Sequence, residues 1–547
     1  HNLKTECFQH LEMINGGYEP KINLMIRYAL LFLFILNVSN VTGQEKPNVL
    51  MIVLDDLNDF VGVLGGHPQA KTPNIDRLAK EGVLFTNAHA NVPVCQPSRA
   101  SFMTGISPLR SRMWGFDNWM KNKLLAQATT LPEFFTAKGY VSMQSGKVFH
   151  SPKKGAWSLM GVKKDYGPIA FNGKRSVPHP LSPEGMRELG ALDATFFSLA
   201  DVPEVPPTDD TPGAKGWYNG SWGGKPFRYV NDTDRDLMTD EKSTIWAKKQ
   251  LEKLEKENTS HPFFMAIGLH RPHTPLVVPQ KYFDLFPLKN IQTAQIKEED
   301  FADTFLENNN LKKGGMSRGR KAYVGLVEGY ESKELALKKY TQAYLASVAF
   351  ADDRVGELLE ALENSKFANN TIVVLFSDHG YNLGEKKYLW KYNLWEESTR
   401  VPLIVRAPKY KRNSGKKVNH PVSLLDIYPT ILSLTGNNVT SLKLNGKTQL
   451  DGFSLEPFLK NPKTKSWDGP DAALTVIASW RSQLPERQHL SVRGKRYRYI
   501  KYANGNEELY DHKKDPHEWH NLSSSTEHNT VKQKLSSILN QQLKIVK

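Results

Sequence analysis

Two uninterrupted apolar runs, VLMIVL and IVVLF, constrain the fold of this chain more than any other feature of its sequence. The first leads directly into Asp55 and Asp56, and the second leads through one serine into Asp378 and His379. Runs of this kind are typical of parallel strands that are covered on both faces. Residues that follow such strands meet at one edge of the sheet, where α/β proteins bind their ligands. We therefore expect these side chains to lie together.

Three carboxylates at one edge of a sheet would repel one another unless a cation lay among them. Hard oxygen ligands favour Ca²⁺ or Mg²⁺ over softer metals. A single Asp-Asp pair is also common in ordinary loops and helix caps, but its occurrence together with a second acidic strand end favours a metal site. The candidate ligands are Asp55, Asp56, Asp378 and His379.

Basic and imidazole side chains follow two further runs that have the composition of strands. The run PFFMAIGL leads to His270 and His273, and the run YVSMQSG leads to Lys147 and His150. Taken singly, such residues are usually surface or capping groups. Around a metal site, cations and proton donors indicate an anionic substrate whose leaving group must be protonated.

The N-terminal residues have the form of an export signal. Residues 25–44 contain Arg27, then nine apolar residues, then small and polar residues, which is typical of a signal peptide. Nine residues are too few to span a bilayer, which takes about 20 in a helix, so we expect a secreted or periplasmic protein without a transmembrane anchor. Residues 1–24 would be upstream translated sequence. The cysteines are Cys7 and Cys95, so the mature chain would keep Cys95 alone and form no internal disulfide.

The charge balance indicates an anionic partner without identifying it. The 72 Lys and Arg residues exceed the 57 Asp and Glu residues, which gives a formal net charge of +15. Such a charge attracts nucleic acid, acidic membranes and acidic or sulfated polysaccharides, and it is also compatible with an ordinary solvated surface. Because an exported chain without a recognised nucleic-acid module does not favour nucleic-acid binding, we expect no such partner.

The segment around Cys95 reads CQPSRASFMTG and fits the pattern C-x-P-S-R-x-x-x-x-T-G, which is the signature of type I sulfatases. Other segments resemble the same family, in the same order: NVLMIVLDDL, TPNIDRLAKEGVLFTNAHA, SGKVFH, GLHRPHTP, SDHGYNLGEKKYLWKYNLWEESTRVPLIV and ELYDHKKDPHEWHNL. The resemblance covers nearly the whole mature chain. It is strongest to the iduronate-2-sulfatase branch and its bacterial polysaccharide-degrading relatives.

The resemblance implies that Cys95 is oxidised to formylglycine (3-oxoalanine) by a formylglycine-generating enzyme. One hydroxyl of the hydrated aldehyde would attack sulfur, and the other would later expel sulfate, which a thiol could not do. The expected metal is Ca²⁺, and Mg²⁺ is the alternative. The metal ligands implied by the resemblance are Asp55, Asp56, Asp378, His379 and an oxygen of the modified Cys95.

The other catalytic roles rest on the same resemblance. Arg99 would hold the formylglycine diol, and His150 would orient it. Lys147 and Lys391 would bind the sulfate oxygens. His270 would protonate the oxygen of the leaving alcohol.

Sugar recognition is expected from loops above the sheet. Candidate residues are His273, Trp480 and Arg481. Trp480 and Arg481 follow the apolar run ALTVIA and could supply an aromatic surface and a cation, although plain packing is the alternative.

The reaction expected from the resemblance is removal of O-sulfate from a sulfated polysaccharide or its oligosaccharides. The algal polysaccharide ulvan is the first candidate substrate, and glycosaminoglycans of the iduronate-2-sulfate type are the second. A phosphate or phosphonate ester hydrolase of the same superfamily is an alternative, but phosphatases of this type use Ser or Thr with two metals. A binding protein without catalysis is a further alternative, although it would not need Cys95, Arg99 and Lys391 together.

The expected fold is α/β and alkaline-phosphatase-like, with a mixed, mostly parallel sheet between helices over residues 45–460. Residues 461–470 read as a linker, and residues 471–547 as a smaller C-terminal subdomain with an antiparallel sheet. The segment YTQAYLASVAFADDRVGELLEALENS has helical periodicity. Asn504 and the glycine after it indicate a turn, and a last helix is expected over about residues 524–545.

Overall fold

The computed structural model describes residues 46–220, 224–306, 316–438 and 442–545. The predicted signal peptide and the residues before it lie outside these ranges. Among the described residues, no helix combines the length and the apolar composition that crossing a membrane requires.

A nine-stranded sheet forms the centre of the fold. Its strands, β1 to β9 in chain order, are Asn48–Asp55, Val83–His89, Val141–Gly146, Leu159–Met160, Phe263–Pro272, Thr371–Ser377, Arg400–Arg406, Lys417–Val418 and Val422–Ser423. The order across the sheet is β8-β2-β7-β6-β1-β5-β3-β4, and β9 also pairs with β2. Strand β7 runs antiparallel to its two neighbours, whereas the other pairs are parallel. The prediction of a mixed, mostly parallel sheet is confirmed.

The two apolar runs form β1 and β6, which lie side by side with Val49 opposite Ile372. Every residue of both strands is buried. Alternate residues of β1 contribute to two different cores, with Leu50 and Ile52 in one core and Val49 and Met51 in the other. A strand that packs on both faces needs apolar residues at every position, which is why the sequence shows no polar alternation here.

Helices flank this sheet. Those of eight or more residues, α1 to α7, are Pro73–Glu81, Cys95–Thr104, Thr239–Lys256, Arg318–Val327, Lys333–Glu363, Ile427–Leu434 and Asn529–Ile545. The shorter α-helices are Pro108–Ser111, Lys123–Gln127, Leu131–Ala137, Glu184–Arg187, Gly190–Asp193, Gln280–Asp284, Glu396–Thr399 and Glu456–Lys460. Helix α5 contains the segment predicted from its periodicity and begins after Ser332, whose hydroxyl accepts a hydrogen bond from the backbone N–H of Leu335. Such a cap satisfies a donor that the first turn leaves free.

Short elements complete the chain. The 3₁₀ segments are Trp119–Lys121, Leu288–Asn290, Ala368–Asn370, Glu385–Lys387, Pro408–Asn413, Leu424–Asp426, Pro485–Arg487 and Thr526–His528. The described residues also form five two-stranded pairs: Ala170–Phe171 with Ser176–Val177, Glu204–Val205 with Ala214–Lys215, Trp217–Asn219 with Lys225–Phe227, Asn382–Leu383 with Leu389–Trp390, and Lys443–Leu444 with Lys447–Thr448. They lie in connections between the larger elements.

The C-terminal residues form a four-stranded antiparallel sheet, as predicted. Its strands, β10 to β13, follow one another in space and are Ala472–Ile477, His489–Gly494, Tyr497–Lys501 and Glu507–Asp511. Gly505 has a φ of 95° in the turn between β12 and β13, a conformation that favours glycine. Helix α7 packs on this sheet through Leu535 and Leu539. Residues 461–470 contain neither helix nor strand, and their role as a domain boundary stays a prediction.

A buried ionic network joins the C-terminal sheet to the short helix Glu396–Thr399, which directly precedes β7. Arg498 on β12 is fully buried, and its guanidinium contacts Glu396 and lies 2.5 Å from Oε1 of Glu518. Arg493 also pairs with Glu396, at 3.1 Å, and His512 lies 2.9 Å from Glu518. Glu396, His512 and Glu518 are close enough to hold a metal, but the two arginines already neutralise the carboxylates.

Replacing Arg498 with methionine should destabilise the protein by about 3–5 kcal/mol, because it leaves Glu518 buried without its main cation and takes one of two arginines from Glu396. Arg496→Met is the matched control, since Arg496 pairs with Asp511 while its side chain is 42% exposed, and exposed pairs contribute little. Midpoints of chemical unfolding for both variants test the prediction. Equal losses at the two positions would contradict it.

Candidate active site

Four adjacent parallel strands, β6, β1, β5 and β3, bring the predicted residues to one edge of the main sheet. Asp55 ends β1, and Asp56 follows it in the left-handed region at a φ of 65°. Asp378 follows β6, Lys147 follows β3, and His270 lies near the end of β5. The predicted clustering at the carboxyl ends of the strands is therefore observed.

Cys95 is the first residue of α2 and its thiol is free and buried. Its sulfur lies 3.3 Å from Nε2 of His379 and 3.5 Å from Nζ of Lys391. Burial and Asp55 alone would raise the pKa of the thiol, but the charges of Lys147 and Lys391 outweigh them and leave this pKa below its usual value. Cys95 thus occupies an electropositive position at the start of a helix, where a developing anion is stabilised.

Arg99 holds two of the carboxylates. Its Nε lies 2.7 Å from Oδ2 of Asp378, and its Nη2 lies 3.1 Å from Oδ1 of Asp55. The ammonium group of Lys147 contacts the other oxygen of Asp55. Burial alone would raise the pKa of Asp55, but the charge of Lys147 and its neighbours holds it well below its usual value. The chain therefore supplies buried cations for these acids.

Lys391 is the buried cation that pairs with Asp56. Its Nζ lies 2.6 and 2.7 Å from the two oxygens of Asp56. Burial nevertheless raises the pKa of Asp56 to about 8, against the lowering charges of Lys391 and His379. Ionising Asp56 therefore requires more positive charge than Lys391 supplies.

The donor atoms fit a hard cation. One group of ligand atoms that lie within 4.8 Å of one another comes from Asp55, Cys95, Asp378 and His379, and a second includes Asp56 and His273 with Asp55 and Cys95. Carboxylate oxygens supply two of the four donors in each group, and such oxygens suit Ca²⁺ or Mg²⁺. A bound cation would also relieve the unfavourable ionisation of Asp56.

The ring of Tyr166 packs against two histidines of the predicted site. Its ring lies 5.3 Å from the ring of His270 and 4.9 Å from that of His273. Nε2 of His273 is 4.0 Å from Oδ2 of Asp56, so this residue lies beside the carboxylates. Nε2 of His270 is buried and has no hydrogen-bond partner among the described residues. His270 thus has one ring nitrogen available for a substrate.

His150 and Trp480 lie farther toward the surface. The ring of His150 is 5.4 Å from that of Phe116, and burial and Lys147 lower its pKa to about 2. Trp480 is 53% exposed and packs so close to Gly115 that an added Cβ would lie 2.9 Å from its ring. Arg481 is exposed as well. The structure therefore buries the two sulfate-binding candidates, Lys147 and Lys391, and leaves Trp480 and Arg481 exposed to solvent.

Several residues of the site were not predicted from the sequence. Ser98 donates a hydrogen bond of 2.6 Å to the backbone carbonyl of Asp378. Lys164 donates to the backbone carbonyl of His150, and burial and Lys147 lower its pKa to about 8. Tyr166 and Lys164 lie in a Gly-, Pro- and Trp-rich stretch without a periodic pattern. Its composition is typical of a binding loop but does not single out these two residues. Ser98 belongs to the signature around Cys95 and could have been singled out there.

A family model described as sulfatase matches residues 47–437. The chain belongs to the sulfatase family. It is accordingly a sulfuric ester hydrolase, and the predicted resemblance is confirmed. A second model, described as the C-terminal region of N-sulphoglucosamine sulphohydrolase, matches residues 384–544 of this sulfatase.

Curated relatives cover most of this sulfatase. A sulfatase of Formosa agariphila is 35% identical over 508 residues, which are 90% of this chain and 86% of the relative. Human iduronate 2-sulfatase is 28% identical over 502 residues, 84% of each chain. An ulvan-active sulfatase of Formosa agariphila is also 28% identical over 502 residues, 91% of this chain and 81% of the relative.

Solved structures share the fold. A 2-O GAG sulfatase superposes with a TM-score of 0.62 at 21% identity and covers 92% of this sulfatase and 93% of its own chain. The phosphonate monoester hydrolase of Agrobacterium radiobacter gives a TM-score of 0.62 at 21% identity and covers 91% and 96%. These similarities and the sheet described above confirm the predicted alkaline-phosphatase-like fold.

Proposed function

We propose that this sulfatase removes O-sulfate groups from ulvan or its oligosaccharides, with a formylglycine made from Cys95 as the nucleophile. The observation that carries the proposal is the position of the Cys95 sulfur at the start of α2, within 3.5 Å of Lys391 and grouped with three potential metal ligands. The ulvan-active relative and the formal charge of +15 support an anionic glycan as substrate.

Family membership implies a metal ion and a formylglycine in general, and the donor set described above fits both. Asp55, Asp56, Asp378 and His379 would hold a Ca²⁺ ion, which would act as a Lewis acid on the bound sulfate. Mg²⁺ is the alternative ion. Formylglycine would supply two hydroxyls on one carbon, so that the second can release the sulfate transferred to the first.

The chain's own cations would recognise the sulfate group. Arg99 stays paired with Asp55 and Asp378 and fixes the region around Cys95. Lys147 and Lys391 each carry an ammonium group that contacts a carboxylate, and each could turn part of its hydrogen-bonding capacity to sulfate oxygens. His150 would orient the nucleophile.

Protonation of the departing sugar oxygen is assigned to His270, whose Nε2 has no partner among the described residues. His273 beside the carboxylates and the exposed Trp480 and Arg481 would contact the sugar. Aromatic and cationic groups at a site mouth suit an acidic saccharide. The proposed enzyme is secreted or periplasmic and depends on a formylglycine-generating enzyme for maturation.

Purified protein with confirmed conversion of Cys95 should release sulfate from ulvan oligosaccharides faster than from carrageenan, fucoidan or heparan oligosaccharides. The measurement is released sulfate, with Cys95→Ala as the matched control. Release from heparan alone would replace ulvan by a glycosaminoglycan, in line with the iduronate 2-sulfatase relative. Hydrolysis of phosphonate esters without any sulfate release would overturn the proposal.

A further inference from the structure

Asp240 is a buried acid that ties the start of α3 to the end of β5. Its Oδ1 accepts hydrogen bonds from the backbone N–H of His270, at 2.8 Å, and from Nδ1 of the same residue, at 2.9 Å. Its Oδ2 accepts from the backbone N–H of Arg271 at 3.0 Å. All three bonds of this carboxylate therefore go to two consecutive residues at the edge of the sheet where the site lies.

This arrangement determines which nitrogen of His270 carries a proton. A carboxylate is an acceptor, so Nδ1 of His270 must be the protonated nitrogen that donates to Asp240. Burial alone would raise the pKa of Asp240, but the bonds and charge of His270 and the charge of Arg271 outweigh it and leave this pKa below its usual value. Asp240 is thus ionised and holds an Nδ1–H imidazole or the imidazolium.

The other ring nitrogen of His270 is available to transfer a proton to a substrate. Nε2 of His270 is buried and has no hydrogen-bond partner among the described residues. A buried polar nitrogen without a partner is costly unless a ligand or water completes it. Tyr166 packs edge-on against the imidazole at 5.3 Å, which together with the bond to Asp240 restricts rotation of the ring.

We propose that Asp240 is a positioning residue that fixes the tautomer and orientation of His270, so that Nε2 delivers a proton to the leaving alcohol. This inference rests on the proposed function. As the nucleophile at position 95 forms its bond to sulfur, the S–O bond to the sugar breaks and its electron pair stays on the sugar oxygen. The proton on Nε2 of the imidazolium passes to that oxygen. The ring is left neutral with Nδ1–H still bound to Asp240, and water returns a proton to Nε2 before the next turnover.

A second buried aspartate shows the same bonding pattern without a histidine. Asp352 on α5 accepts from the backbone N–H groups of Asn74 and Ile75, at 3.0 and 2.8 Å, and from Nδ2 of Asn74 at 2.9 Å. It ties two elements together as Asp240 does, but it orients no ionisable ring. Asp352→Asn therefore controls for the loss of a structural clamp.

The test compares leaving groups, since only a poor leaving group needs the proton. A series of aryl sulfates of increasing leaving-group basicity, ending in an alkyl sulfate, is assayed with the mature, metal-loaded enzyme. Asp240→Asn is expected to lower kcat/KM about 100-fold on the most basic leaving groups and less than about tenfold on nitrophenyl sulfate. For His270→Ala, kcat/KM should fall with leaving-group basicity as steeply as for Asp240→Asn. For Asp352→Asn, kcat/KM should fall only as steeply as for the wild-type enzyme.

A uniform loss across the series for Asp240→Asn, or no loss at all, would overturn the proposal. If Asp240→Asn does not fold, nitrogen NMR of the wild-type enzyme replaces the kinetic comparison. The signal of His270 is assigned by its absence from the spectrum of His270→Ala. Nδ1–H in the neutral ring is expected, and Nε2–H would overturn the proposal. Aryl sulfates test the leaving group independently of the natural glycan. Inactivity toward ulvan would therefore contradict the proposed substrate without affecting the test of Asp240.

Discussion

Replacing Cys95 with alanine should lower kcat/KM for sulfate release at least about 10⁴-fold, as expected when the nucleophile of a covalent mechanism is removed. This loss follows from the position of Cys95, whose sulfur lies 3.5 Å from Nζ of Lys391 and 3.3 Å from Nε2 of His379. Metal and cations could still bind the sulfate in the variant, but without the side chain no covalent step can follow. Released sulfate is measured together with the peptide mass at position 95.

Cys95→Ser sharpens this test, because it supplies one hydroxyl where formylglycine supplies two. If its hydroxyl attacks sulfur, the sulfated serine has no partner hydroxyl to expel sulfate, and the enzyme stops after one turnover. The expected result is at most one equivalent of leaving group per enzyme, and none for Cys95→Ala. If either variant completed multiple turnovers at the rate of the wild-type enzyme, with an unchanged melting temperature, the formylglycine mechanism would be contradicted.

The sheet was predictable because its central strands are buried on both faces. Because β1 and β6 are buried throughout, they need apolar residues at nearly every position, and the sequence therefore contains two unbroken apolar runs. The C-terminal strands were predicted from a different pattern, shorter alternating runs, together with the turn at Gly505. Strand ends in turn located Asp55 and Asp378, since parallel strands present their carboxyl ends at one edge.

The remaining parts of the site depend on tertiary contacts that leave no local pattern. Asp240 reads as an ordinary acid in the first turn of a helix, which helix ends commonly favour, and only the approach of α3 to β5 brings it to His270. Tyr166 and Lys164 belong to an aperiodic loop. Trp480 was predicted as a residue after a strand, but its position depends on close packing against Gly115.

The electrostatics of the site also went beyond the sequence prediction. Mutual repulsion of the carboxylates predicted a cation among them, and the structure shows that Arg99, Lys147 and Lys391 provide three of their own. A buried carboxylate without compensation would be strongly destabilising. We therefore expect the fold to form without the metal and the metal to add to its stability.

Removing the metal with a chelator should abolish sulfate release and lower the melting temperature, and Ca²⁺ should restore both. A ligand that binds only the folded state stabilises it by about 4 kcal/mol at about 1,000 times its dissociation constant. Ca²⁺ should restore more than Mg²⁺, because Ca²⁺ accepts irregular coordination by oxygen ligands, whereas Mg²⁺ demands a near-ideal octahedron and gives up its waters reluctantly. Melting temperature and released sulfate are recorded as each ion is titrated.

Asp378→Asn should remove this response, because it deletes the charge of a carboxylate that belongs to the donor group around Cys95. Asp426→Asn is the matched control, since Asp426 is equally buried but accepts its bonds from the backbone N–H groups of Ser423 and Phe453, both at 2.8 Å. The control should keep the rise in melting temperature with Ca²⁺. A shift that survives in Asp378→Asn would locate the ion elsewhere, and full activity after chelation would show that the three buried cations suffice to bind and polarise the sulfate.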